Sequence, residues 1–240
     1  MRIGLFTDSY HPASNGVVVV VDSLRRELEA AGHEVYIFAP DSSIAPKAVK
    51  LGAKIHSKMP EKIASFIDTH ASKLPKMMHD DPHIIRLPAI QGEIQFAFFM
   101  PPQLLQTVRE LKLDVIQFFT PDQLGLMAAY AARKTGAILI GQHSTDIYEF
   151  SKNYPAIILG CFIGGFLENG AHKLSMQQRR KFAKIYFSRH RFESNEKWGQ
   201  RLVAGYTAML YSGCDGVVAV SQKSANKLNN FAKRVDEKLN

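Results

Sequence analysis

Six short apolar runs punctuate the chain: IGLFT at 3–7, EVYIFAP at 34–40, HIIRLPAI at 83–90, DVIQFF at 114–119, AILIGQ at 137–142 and GVVAV at 216–220. Stretches of helical periodicity separate most of them, so a strand keeps returning after a helix. Short turns between such units favour one packing, a parallel sheet whose right-handed crossovers cover both faces. The expected class is α/β, a doubly wound parallel sheet. It forms one domain over residues 1–240, with irregular excursions at about 41–82 and 150–198. With 240 residues and 46% apolar content, the chain can bury a core of that size.

Local signals agree. In VVVVVDSLRRELEAAGH, Val17, Val21, Leu24, Leu28 and Ala31 share one helical face, Asn15 suits the N-cap, and Gly32 suits a left-handed stop. PPQLLQTVRELKL opens a helix on proline, and PDQLGLMAAYAARKTG is stopped by Gly136. Further helices are expected near 199–212 and from Ser221. PEKIASFIDTHASKL, between Pro60 and Pro75, has helical spacing inside the first excursion.

Ligands of doubly wound sheets bind beyond the carboxyl ends of the strands. The turns at Asp8 to Gly16, Thr120 to Gln123 and His143 to Tyr148 all fall there. Gly16 opens a helix directly after the SYHPASN turn, which suits approach of an anionic group to helix N-terminal amides; a plain turn glycine is the competing reading. His143 places a titratable imidazole at the same edge. The chain has no GxGxxG, Walker or GxSxG sequence and no cysteine with an evident histidine partner. Dinucleotide, P-loop and hydrolase-triad chemistry are therefore disfavoured. HDDPH at 79–83 is the one cluster with metal-ligand character and reads better as a solvated turn, so no metal is expected.

Lys plus Arg outnumber Asp plus Glu by 30 to 22, a net charge of +8 that favours anionic partners. The segment from His172 to Arg201 holds nine basic and two acidic residues, nearly the whole imbalance. Its Arg179, Arg180, Lys181 and Lys184 are interleaved with Phe182, Tyr186, Phe187, Phe192 and Trp198 and follow the apolar YPAIILGCFIGGFL at 154–167. That apolar run is too short to span a bilayer and can lie only in an interface or a core, while the basic and aromatic residues beside it suit contact with an anionic leaflet, a solvated helical face being the alternative for that segment. No nucleic-acid recognition module is visible, so nucleic acid is not an expected partner. Cys161 and Cys214 lack CxxC spacing and read as buried thiols in a reducing compartment. Met1-Arg2 leads straight into a strand too short for a signal-peptide core. The expected location is cytoplasmic, peripheral on the membrane face where the basic segment meets lipid.

Several motifs recur in a recognisable order. They are MRIGLFTDSYHPASNGVVVVVDSLRRELEAAGHEVYIFAP, IIRLPAI followed by QFAFFMPP, DVIQFFTPDQLGLMAAYAARKTGAILIGQHSTDIYEF, and CDGVVAVSQKSANKL. Together they resemble the family 4 retaining glycosyltransferases of GT-B fold, particularly the branch that glycosylates diacylglycerol and other membrane lipids. The resemblance implies the N-terminal, acceptor-side Rossmann-like domain of an enzyme that moves a hexose from a nucleotide sugar, such as a UDP- or GDP-hexose, to a lipid or glycan hydroxyl with retention. It sets Asn15 and Gly16 against the donor diphosphate and His143 at the reacting sugar. Asp8, Thr120 and Asp146 would be pocket residues, the basic segment a membrane contact, and no cofactor is required.

Two departures bear on that expectation. Gln117 and Phe119 stand where many relatives carry histidines before the TP pair, so the acceptor pocket is altered. The family's chain normally continues into a second Rossmann domain with most nucleotide contacts, and this sequence stops at Asn240. A donor-binding C-terminal domain is thus a missing partner. The alternatives are a noncatalytic module that docks on a membrane or partner, and a nucleotide binder without transfer activity.

Overall fold

The computed structural model describes residues 1–41, 78–90, 96–97, 101–171, 180, 184 and 195–234. Among these, eight strands form in chain order: β1 (Arg2–Phe6), β2 (Glu34–Asp41), β3 (Met78–Asp81), β4 (Ile84–Ile90), β5 (Phe96–Ala97), β6 (Val115–Phe118), β7 (Ile138–His143) and β8 (Gly216–Ala219). The helices are α1 (Gly16–Ala30), α2 (Pro101–Leu111), α3 (Gln123–Thr135), α4 (Ile147–Phe150), α5 (Pro155–Ala171), α6 (Trp198–Ser212) and α7 (Gln222–Arg234). The sheet runs β3-β4-β2-β1-β6-β7-β8. Its six strands from β4 to β8 are mutually parallel. This is the expected doubly wound α/β sheet, with one correction: β3 and β5 both pair antiparallel with β4.

Strand alternation divides the core. Ile3 and Leu5 of β1, Val35, Ile37 and Ala39 of β2, and Phe119 after β6 pack with Val18 and Val21 of α1. The alternate residues Phe6, Tyr36, Phe38, Ile116 and Phe118 pack with Leu104, Met127, Val203 and Phe231 from α2, α3, α6 and α7. Period-two alternation therefore buries both faces, one under α1 and the other under four helices.

Helix ends follow local chemistry. Asn15 Oδ1 accepts from the N–H groups of Val17 and Val18, at 3.0 and 3.2 Å. That satisfies two of the donors a helix start leaves open. Gly32 and Gly136 take φ of +81° and +80°, the left-handed region that suits glycine after a helix. In α1 the buried stripe centres on Val18 and Val21, with Val17, Leu24 and Leu28 packed beside it, while Ala31 is the exposed C-cap.

The largest correction lies in the second excursion, where YPAIILGCFIGGFL forms most of the 17-residue α5. One side packs on α6: Cys161 and Gly164 are buried, and a Cβ on Gly164 would come within 3.0 Å of the Tyr206 ring. The other side exposes Leu159 and Ile163. In the first excursion, 78–81 is strand β3, and the helix expected between Pro60 and Pro75 lies outside the described residues. Both cysteines are buried free thiols. No helix of the described residues is long and apolar enough to cross a membrane.

Candidate functional site

The carboxyl ends of β1, β6 and β7 lie side by side, because Phe6 is registered with Phe118, and Phe118 with Gly141. Beyond them, Phe119 donates its N–H to Phe6 O and Ser144 donates to Phe119 O, which ties the three exits into one edge. The turn between Asp8 and Asn15 is held from several sides. Thr7 Oγ1 donates to Ser9 O at 2.8 Å, and Arg86 of β4 donates to His11 O at 2.7 Å. His11 Nε2 lies 2.7 Å from Asp22 of α1. Asn15 Nδ2 donates to Ser9 Oγ at 2.7 Å, so its carboxamide links the turn to the helix start.

Because Asn15 already occupies the Val17 and Val18 amides, Gly16 carries the N–H of the first turn that has no hydrogen bond among the described residues. A Cβ on Gly16 would meet nothing within 4 Å. The mouth is open, but the number of amides facing an anion there is smaller than the sequence suggests.

Across the β1 and β6 exits, the Thr120 hydroxyl donates to Asp8 Oδ2, and Leu124 donates its N–H to Asp8 Oδ1 at 3.3 Å. Asp8, from a distant strand, thus caps α3, while Asp122 at the N-cap position makes no capping bond. The Asp122 carboxyl lies beside that of Asp8, and its Oδ1 is sealed from solvent with no hydrogen bond among the described residues. Desolvation pushes both carboxyls above their ordinary range, Asp122 furthest because the charge of Asp8 adds to it. Burial and the mutual repulsion of the two carboxyls both favour their protonated forms. Gly125 makes this corner possible, since a Cβ there would lie 2.5 Å from Thr120 O.

His143 is the last residue of β7 rather than the first beyond it, and it is 3% exposed. Its Nδ1 lies 3.3 Å from the hydroxyl of Tyr211 on α6, which itself donates to Gln142 O at 3.2 Å. The two rings meet edge to face at 5.5 Å. Burial pushes the imidazole below its ordinary pKa, with Lys227 adding to the fall and Asp146 opposing it, so the neutral ring is favoured. Phe118, stacked on Tyr211, underlies both this corner and the carboxyl pair.

The structure thus brings Asp8, Thr120 and His143 to one edge, with Asn15 and Gly16 on the α1 side of it. Asp146 caps α4 by accepting from Glu149 N at 3.2 Å and pairs with Lys227 of α7 at 2.7 Å, and its charge reaches His143. Arg180 and Lys184 are helical and exposed, while Arg179 and Lys181 lie outside the described residues. HDDPH covers the end of β3 and the β3–β4 turn, in which Asp81 Oδ1 accepts from His83 N at 2.6 Å. Among the described residues no group of three or more His, Cys, Asp or Glu is arranged to hold a metal ion. Sequence reasoning missed Asp122 and Tyr211. The first matters only because Asp8 meets it, and the second reads as an ordinary core residue of α6.

The family model of Glycosyltransferase Family 4 matches residues 14–238. The chain belongs to Glycosyltransferase Family 4. Similar curated proteins include an alpha-monoglucosyldiacylglycerol synthase of Streptococcus pneumoniae, 28% identical over 65% of this chain and 29% of its own length. The enzyme of the same name from Acholeplasma laidlawii is 25% identical over 77% of this chain and 38% of its own. A GDP-mannose-dependent alpha-mannosyltransferase of Corynebacterium glutamicum is 27% identical over 64% and 32%. The chain therefore spans about a third of the length of these family relatives.

Proposed function

We propose that this chain is the acceptor-side, N-terminal domain of a GT-B glycosyltransferase that moves a hexose from a nucleotide sugar to a lipid hydroxyl with retention. What supports the reading is the family match over 14–238, which takes in the start of α1 and the ends of β6 and β7, two of the three strand exits that converge with β1 on one open edge. Gly16 N–H, at the positive end of α1, faces the leaving diphosphate and offsets charge that develops as the glycosidic bond breaks. The neutral His143 orients a hydroxyl at the reacting sugar. The donor's nucleotide is held chiefly by a second domain, and no metal or cofactor is needed by the residues present.

A lipid acceptor is favoured by a surface observation as well as by the relatives' names. Phe150, Tyr154, Leu159, Ile163 and Trp198 are all more than 40% exposed, and they sit on or beside α5, with Arg180 and Lys184 exposed in the segment that follows. Apolar and aromatic side chains beside cations suit the boundary of an anionic leaflet.

The test joins the chain to a donor-binding domain and offers labelled UDP-glucose or GDP-mannose with vesicles containing diacylglycerol. Label in the lipid phase is the expected result, and label released only as free sugar argues against a lipid acceptor. Sedimentation with anionic vesicles at two salt concentrations checks the membrane contact. Binding is expected to weaken with salt and to be lost when Arg179, Arg180, Lys181 and Lys184 become Glu; binding unchanged in that variant contradicts it.

A further inference from the structure

We infer that Tyr211 is a positioning residue that fixes His143 as the Nδ1–H tautomer and so leaves Nε2 as a lone-pair acceptor for a substrate hydroxyl. The inference rests on the proposed role of His143 at the reacting sugar, but the tautomer itself follows from counting protons. The Tyr211 hydroxyl has one proton and two close polar partners, Gln142 O at 3.2 Å and His143 Nδ1 at 3.3 Å. A backbone carbonyl can only accept. With the phenolic proton on Gln142 O, the second contact is a hydrogen bond only when Nδ1 carries a proton and donates to the phenolic oxygen.

The opposite assignment is worse. A phenol donating to a bare Nδ1 would leave its oxygen lone pairs facing those of the Gln142 carbonyl at 3.2 Å, in a site where Tyr211 is 0% exposed and the low dielectric strengthens the repulsion. Ionisation does not offer a third arrangement, because burial pushes the Tyr211 phenol well above its ordinary pKa. The contacts also lock the geometry. A Cβ on Gly141 would stand 2.7 Å from the Tyr211 ring and 2.8 Å from Phe118, so the ring is wedged where only glycine lets it pass behind β7. Among the described residues Nε2 makes no hydrogen bond, which leaves it as the imidazole's unused acceptor.

The partner of that nitrogen is defined by its chemistry: a neutral O–H donor such as a sugar or glycerol hydroxyl, not a carboxylate or phosphate oxygen, which could only repel the lone pair. Tyr211 touches no substrate in this arrangement and acts through His143.

The experiment is ring-nitrogen NMR of the 15N-histidine-labelled 240-residue chain, with His143 assigned by the signals lost in His143→Gln. The wild-type chain, held at a pH where His143 is neutral, is expected to show a proton on Nδ1 and a bare, pyridine-type Nε2. In Tyr211→Phe, which keeps the ring and loses only the hydroxyl, the signals are expected to move towards the Nε2–H form. A wild-type Nε2–H tautomer overturns the inference, and so does an unchanged tautomer in Tyr211→Phe. The wild-type spectrum decides even where the variant fails to fold. The tautomer needs no transfer activity to be read, so the two are separable: a correct tautomer with full transfer by His143→Ala would leave Tyr211's hold on the imidazole standing and remove the substrate hydroxyl from Nε2.

Discussion

The edge of the sheet holds two corners that solve the same problem in opposite ways. At β1 and β6, two acids are pressed together, and desolvation drives their pKa values up. At β7, one base is buried over a tyrosine, and desolvation drives its pKa down. Both corners are thereby pushed towards neutrality. The acid corner, however, has an Asp122 oxygen with no hydrogen bond among the described residues, while the tyrosine hydroxyl at the other corner sits within reach of both His143 and a backbone carbonyl. Along this edge stability has been given up at the carboxyl pair more than at the imidazole.

The largest expected effect comes from filling either corner. Gly125→Ala forces a methyl to within 2.5 Å of Thr120 O at the acid corner, and Gly141→Ala forces one against the Tyr211 and Phe118 rings at the other. Each is expected to cost at least about 1–3 kcal/mol in denaturant unfolding. Because backbone yields less readily than a ring, Gly125→Ala is expected to cost more; the reverse order would break the picture of a rigid acid corner.

Next in size is the cap that serves the α1 side. Asn15→Ala removes the acceptor of the Val17 and Val18 amides and is expected to cost about 1 kcal/mol. Thermal unfolding reads this directly. A neutral substitution would mean that water or the turn backbone caps α1 equally well.

The smallest effects sharpen the comparison because their signs differ. A carboxyl whose folded pKa is raised binds its proton in the native state where the unfolded chain has already released it. The acid corner's stability is then full below the ordinary carboxyl range and is lost as pH rises through the raised values. Asp122→Asn is expected to raise the Tm at pH 8 and to do little at pH 3.5. A buried histidine with lowered pKa behaves oppositely: its stability is full above the ordinary imidazole range and is lost as pH falls through the folded value. His143→Gln is therefore expected to flatten the acid side of the Tm profile. Profiles of the two variants that move in the same direction would show that the corners are not electrostatic opposites.

Much of this fold is legible in the sequence because its signals are local. Asn15, Gly32 and Gly136 mark helix ends by their own backbone chemistry, and the apolar strands stand out against turn residues. Helix α5 is hard to read because PAIILGCFIGGF is apolar all round, with no polar face to reveal a period of 3.6. Strands β3 and β5, of four and two residues, are too short to carry a pattern. In the site, His143 and Gly16 are visible by their place at the end of a strand and the start of a helix. Asp122 and Tyr211 are not, because each acquires meaning from a partner 114 or 68 positions away. Asp146 shows the converse: its place at the binding edge is legible, but its contacts with Glu149 N and Lys227 are not.

The most direct test of the proposed chemistry compares hexose transfer by wild type and His143→Ala, each joined to the same donor-binding domain and each checked for a matched thermal transition. The expected result is transfer lost in the variant while nucleotide binding is kept. Transfer at the wild-type rate would contradict a role for His143 at the reacting sugar.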